Sequence, residues 1–193
     1  MSFVSICAKE SFISVVSDGL IKNMETGEEV GQRYQKFAKI SDNQFVAFTG
    51  NHGLAEAIKV TLPFDTRGYD LEGVSKLIHK RLLDDIPIEK AKMAVAIGGV
   101  NQDNNIEFHS FINDPTKKFN SFQPKDDKLS YSFLESPEME GFDLEILFKE
   151  YISTIGHNTP SKILRVQKRL NDFVAANDSS VNRITFNLMI RKP

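Results

Sequence analysis

Past Gly50 the hydrophobic period of this chain changes from two to about 3.6, and that switch limits what it can fold into more than any other feature. Before it, Phe3, Ser5 and Cys7 alternate with Val4 and Ile6, and Phe12-Ile13-Ser14-Val15-Val16-Ser17 is apolar and β-branched. Ala8-Lys9-Glu10-Ser11 reads as the hairpin turn between these two strands, and Asp18-Gly19 ends the second. A polar segment follows over residues 23–29, then a strand expected from about residue 33 to 40. Ser41-Asp42-Asn43 turns that strand into another at residues 44–49, which stops at Gly50.

Beyond Gly50, Leu54, Ala57, Ile58, Thr61 and Leu62 share one helical face, stopped by Pro63. Asp70 is the expected N-cap of a second helix striped with Leu71, Val74, Leu77, Ile78 and Leu82. Strands return at residues 92–98 and 106–112. Residues 114–128 are polar and lysine-rich, which predicts a surface loop before a weaker strand at 129–134. A third helix aligns Leu144, Leu147, Phe148, Tyr151 and Ile152. A fourth opens on Thr159-Pro160 and aligns Ile163, Val166, Leu170, Phe173 and Val174. Residues 184–190 alternate as a last strand with one wet face. Strands in runs, separated by paired helices, predict an α+β fold: two stacked antiparallel sheets flanked by helices, a four-layer αββα sandwich. With no repeat or linker in sight, residues 1–193 are expected to form a single domain.

Composition narrows the function. The 193 residues carry 24 Lys+Arg against 26 Asp+Glu, a net charge of −2, so no field gathers phosphate backbones and nucleic acid is not an expected partner. No window approaches the roughly 20 apolar residues of a membrane-spanning helix, and Met1-Ser2-Phe3-Val4 does not open a secretory signal, so no membrane partner and a cytoplasmic location are expected. Cys7 is the only cysteine, which excludes an intrachain disulfide and marks it as a small core residue. His52, His79, His109 and His157 show no paired metal-ligand spacing, so neither a metal nor a cofactor is expected. Cys7, His109 and His52, which is close to Gly50, stay open as residues of some separate site.

Four segments in order, Ser2-Phe3-Val4-Ser5-Ile6, Val15-Val16-Ser17-Asp18, Lys36-Phe37-Ala38-Lys39-Ile40 and Val46-Ala47-Phe48-Thr49-Gly50-Asn51, resemble the catalytic subunits of the proteasome and of the bacterial proteasome-like protease. These are N-terminal nucleophile (Ntn) hydrolases. The resemblance runs on through residues 93–112 as a central hairpin and Asp178-Ser179-Ser180 before the last strand. The step from Ser2 to Asp18 matches the family without a gap, whereas the segment before Lys36 carries a short insertion.

The resemblance implies a chemistry. Ser2, exposed as the N-terminal residue once Met1 is removed, would attack an amide carbonyl. Its own α-amine, with an ordinary pKa of about 7.7–8.0, would take the proton. Asp18 and Lys36 would be the charged pair that favours the deprotonated nucleophile, Gly50 the backbone donor to the oxyanion, and Asp178 the carboxylate that braces the amine. A peptide or amide substrate and a homo-oligomer, ring-like in this family, are implied with it. The chain also departs from the family. The nucleophile is Ser and not Thr, the signature after Asp178 reads Ser180-Val181-Asn182 in place of a Ser-Gly-Gly-like run, and residues 131–137 lack a Ser-Gly-rich turn. The alternative is therefore an inactive member of the fold with a structural or interaction role.

Overall fold

The computed structural model describes residues 2–23, 26–88, 91–134 and 143–193. Its elements run β1 (Val4–Lys9), β2 (Phe12–Asp18), β3 (Ile21–Lys22), β4 (Glu29–Gly31), β5 (Phe37–Ser41), β6 (Gln44–Gly50), α1 (His52–Thr61), α2 (Leu71–Asp85), β7 (Met93–Val100), β8 (Ile106–Ile112), β9 (Asn120–Phe122), β10 (Ser130–Leu134), α3 (Leu144–Ile155), α4 (Pro160–Asn177) and β11 (Thr185–Arg191). One sheet has the order β10-β1-β2-β11, a second β5-β6-β7-β8-β9, and β3 pairs β4 as a separate hairpin. Neighbouring strands pair antiparallel throughout.

The alternation read from the sequence decides which residue meets which layer. Val4 and Ile6 of β1 and Ile13 and Val15 of β2 are buried against Phe45, Ala47, Ala96 and Phe108 of the other sheet, so the two sheets stack face to face. On the opposite face of the first sheet, Phe3, Cys7 and Phe12 pack under Phe148 of α3 and Ile163, Val166 and Leu170 of α4. Val46, Phe48, Val95 and Phe111 of the second sheet meet Ile58 of α1 and Leu71, Ile78 and Leu82 of α2. The result is the four-layer αββα sandwich. The helix starts follow from side chains: Asn51, Asp70, Asp143 and Thr159 each accept a first-turn backbone N–H, a contact worth about 1 kcal/mol per helix.

Three local outcomes differ from the sequence reading. The strand expected at 33–40 begins only at Phe37, because Tyr34 turns away to donate its backbone N–H to Gly19 O at 2.9 Å. The polar stretch after Asp18 contributes the β3–β4 hairpin. The expected loop at 114–128 contains β9, held to β8 by a stacked Phe108–Phe122 pair at 4.4 Å between ring centroids. Residues 135–137 of the stretch lacking a Ser-Gly-rich turn lie outside the described residues.

Candidate active site

Asp18 sits at the last position of β2 with no exposure to solvent, and its carboxylate organises what surrounds it. Oδ1 receives both the Phe3 backbone N–H at 2.9 Å and Lys36 Nζ at 2.5 Å, while Oδ2 receives the Leu20 N–H at 2.9 Å. The Asp18 N–H in turn donates to Phe3 O at 3.2 Å. One carboxylate therefore fixes the residue next to Ser2 and the ammonium of Lys36 together. Lys36 enters from just before β5, its carbonyl accepting the Phe48 N–H at 3.0 Å. Burial holds its ammonium below the usual lysine range, the loss of hydration outweighing the opposing pull of Asp18 and, more weakly, Asp178. Lys39, three residues on, is exposed and donates to Asp42 O.

Ser2, Lys36 and Gly50 line one cleft of about 270 Å³. Lys22 and Val30 of the β3–β4 hairpin contribute to its wall, together with His52 and Gly53 from the first turn of α1. Gly50 closes β6 at φ +110°, where a Cβ would stand 2.1 Å from Lys92 O, so the strand-to-helix turn admits glycine alone. Met1 lies outside the described residues.

Asp178 caps the C-terminus of α4 and is buried. Its Oδ1 accepts both the backbone N–H and the hydroxyl of Ser180, at 2.7 and 2.6 Å. Its Oδ2 is buried with no hydrogen-bond partner among the described residues. A buried carboxylate oxygen left open is costly unless something donates to it. The departure after Asp178 thus still supplies a hydroxyl, from Ser180, a contact that sequence order alone did not bring out.

Sequence reasoning also missed a cluster that reaches the cleft wall through Tyr34 and His52. The Tyr34 hydroxyl donates to Glu56 and accepts from Lys59 Nζ at 2.9 Å, and Lys59 lies 4.5 Å over the Tyr34 ring. Burial, and then Glu56, push the Tyr34 hydroxyl far above its ordinary range, which keeps it a neutral donor. His52 meets the Tyr34 ring edge-on at 4.7 Å. These partners stand 18 to 25 residues from Tyr34 in the chain, so no local period reveals them. Cys7 is fully buried, and burial pushes its thiol far up, as suits a core residue. Among the described residues no group of three His, Cys, Asp or Glu is placed to hold a metal, and no helix is long and apolar enough to cross a membrane.

Two helical layers enclose two antiparallel sheets, with a cleft where the first strand begins, and this architecture is shared with a solved structure. The solved structure of eukaryotic HslV from Trypanosoma brucei matches 98% of this chain and 99% of its own, with a TM-score of 0.63 and 10% sequence identity. The likeness at that identity is one of architecture, and it extends over nearly the whole length. No protein-family model matches the sequence, and a comparison with curated proteins gives no match.

Proposed function

We propose that the chain is a peptide or amide hydrolase that uses Ser2 as an N-terminal nucleophile after Met1 is removed. The observation that carries this reading is the buried Asp18–Lys36 pair, whose ammonium shares a cleft with Ser2 and Gly50. In that reading Ser2 Oγ attacks the substrate carbonyl carbon and its proton passes to the Ser2 α-amine. Lys36 favours the alkoxide, and the Gly50 N–H donates to the oxyanion. Collapse breaks the amide C–N bond, the departing amine takes the proton, and water then cleaves the Ser2 ester. In the same reading Asp178, whose Oδ2 is open and whose charge reaches Lys36, accepts from the α-ammonium that forms. The same fold-level likeness supports a single domain and a homo-oligomer.

A scaffold role without catalysis is the second reading. It is favoured by Val181, which is buried in the α4 core where the family signature carries a small residue. One experiment separates the two. Untagged protein is analysed by intact mass and then treated with a peptide epoxyketone, which closes a ring onto an adjacent hydroxyl and amine. Loss of Met1 with label on Ser2, absent in Lys36→Ala, supports the hydrolase. Retained Met1 with no label supports the scaffold.

A further inference from the structure

Away from the cleft, the β8–β9 pairing sets His109 opposite Ser121 on the second sheet. Ser121 Oγ lies 3.0 Å from His109 Nδ1. Across the ring, Nε2 faces Glu107 Oε1 at 3.6 Å and has no hydrogen-bond partner among the described residues. The imidazole is 4% exposed and stacks on Phe119 at 5.7 Å between centroids, which restrains its rotation. Glu107 is itself anchored, its Oε2 accepting Asn101 Nδ2 at 2.7 Å. From α2, Glu72 adds a second carboxylate within electrostatic reach of the ring and is paired with Lys76 at 2.6 Å.

The carboxylate beside Nε2 favours one tautomer over the other on electrostatic grounds. A neutral imidazole carries one proton, and the nitrogen that faces a carboxylate is the one that keeps it. With the proton on Nε2, Nδ1 is left as an acceptor, and the Ser121 hydroxyl donates to it. The serine stands exposed on a three-residue edge strand, while the base beneath it is buried. A hydroxyl, a base and an acid behind the base are the three parts of an activated nucleophile.

We propose that Ser121 is a second nucleophilic serine, with His109 as its general base and Glu107 as the positioning residue, and that it accepts acyl groups from activated esters. Ser121 Oγ forms a bond to the ester carbonyl carbon as its proton moves to His109 Nδ1. Glu107 steadies the imidazolium. The C–O bond to the leaving group then breaks, the leaving group keeps the electron pair, and His109 returns the proton to it or to water. The product is O-acyl-Ser121. An exposed serine selects by the reactivity of the leaving group more than by the shape of the acyl chain.

The test uses the full chain and p-nitrophenyl acetate, with the acetylated residue located by peptide mass mapping. Acetylation of Ser121 is expected in the wild type and equally in Ser2→Ala, which separates this site from the proposed hydrolase. The rate is expected to fall about 100-fold in His109→Gln and about 10-fold in Glu107→Gln. Glu107→Gln replaces a partly exposed side chain with its isostere, so it reads the effect even where His109→Gln disturbs packing. Ser121 left unmodified while other groups acetylate, or acetylated at the same rate in both variants, overturns the proposal.

Discussion

Lys36 Nζ lies 2.5 Å from Asp18 Oδ1, with both side chains almost wholly out of solvent. Asp18→Asn keeps an acceptor for the Phe3 N–H but leaves a buried ammonium without its counter-charge. Removing one partner of a buried pair costs about 3–5 kcal/mol. Denaturant unfolding of the Asp18→Asn variant should show a loss of that order, and acylation of Ser2 should disappear with it. A variant as stable as the wild type would contradict the role given to the pair.

Gly50→Ala is expected to be costly for a different reason. Its Cβ would meet Lys92 O at 2.1 Å, at a φ of +110°. Strain in such a conformation alone amounts to about 1–3 kcal/mol, and the clash adds to it by moving β6 away from β7. Thermal unfolding measures the loss. An unchanged midpoint would mean that the turn is not held as described.

These two predictions rest on features that were legible to different degrees. The alternation of β1 and β2 and the caps at Asp70 and Thr159 could be read directly, because period and capping are local chemistry. The segments carrying Asp18, Lys36 and Gly50 could be ordered by their likeness to a family, but their meeting could not be derived from spacing. β3, β4 and β9 escaped notice because strands of two or three residues are too short to display a period, and β9 exists through the Phe108–Phe122 stack. The Ser180–Asp178 contact and the Tyr34–Glu56–Lys59 cluster are tertiary, and nothing in a linear run of residues announces them.

Asp178→Asn tests the open carboxylate oxygen. A carboxylate close to the α-amine favours its charged form and so raises its pKa, and the amide removes that influence. The acid limb of the pH dependence of Ser2 acylation should therefore move to lower pH in Asp178→Asn. The plateau rate should also fall about 10- to 100-fold as the amine loses its brace. Superimposable profiles would remove Asp178 from the mechanism.

Cys7 gives a prediction about pH and stability. Burial raises the thiol's pKa in the folded state, whereas the unfolded thiol ionises near pH 8.5. Above that pH the unfolded chain gives up a proton that the folded chain keeps, so stability present below pH about 8.5 is lost as the pH rises. Denaturation midpoints of the wild type should decline relative to those of Cys7→Ala between about pH 8.5 and 10. Parallel curves would show that the thiol is hydrated in the fold.

The most direct measurement is made at the N-terminus. Untagged protein treated with a peptide epoxyketone, followed by intact mass and peptide mapping, should show Met1 absent and a single adduct on Ser2 that Lys36→Ala does not form. Protein that keeps Met1, or that loses it and still leaves Ser2 unlabelled, would contradict a hydrolase built on Ser2, Asp18 and Lys36.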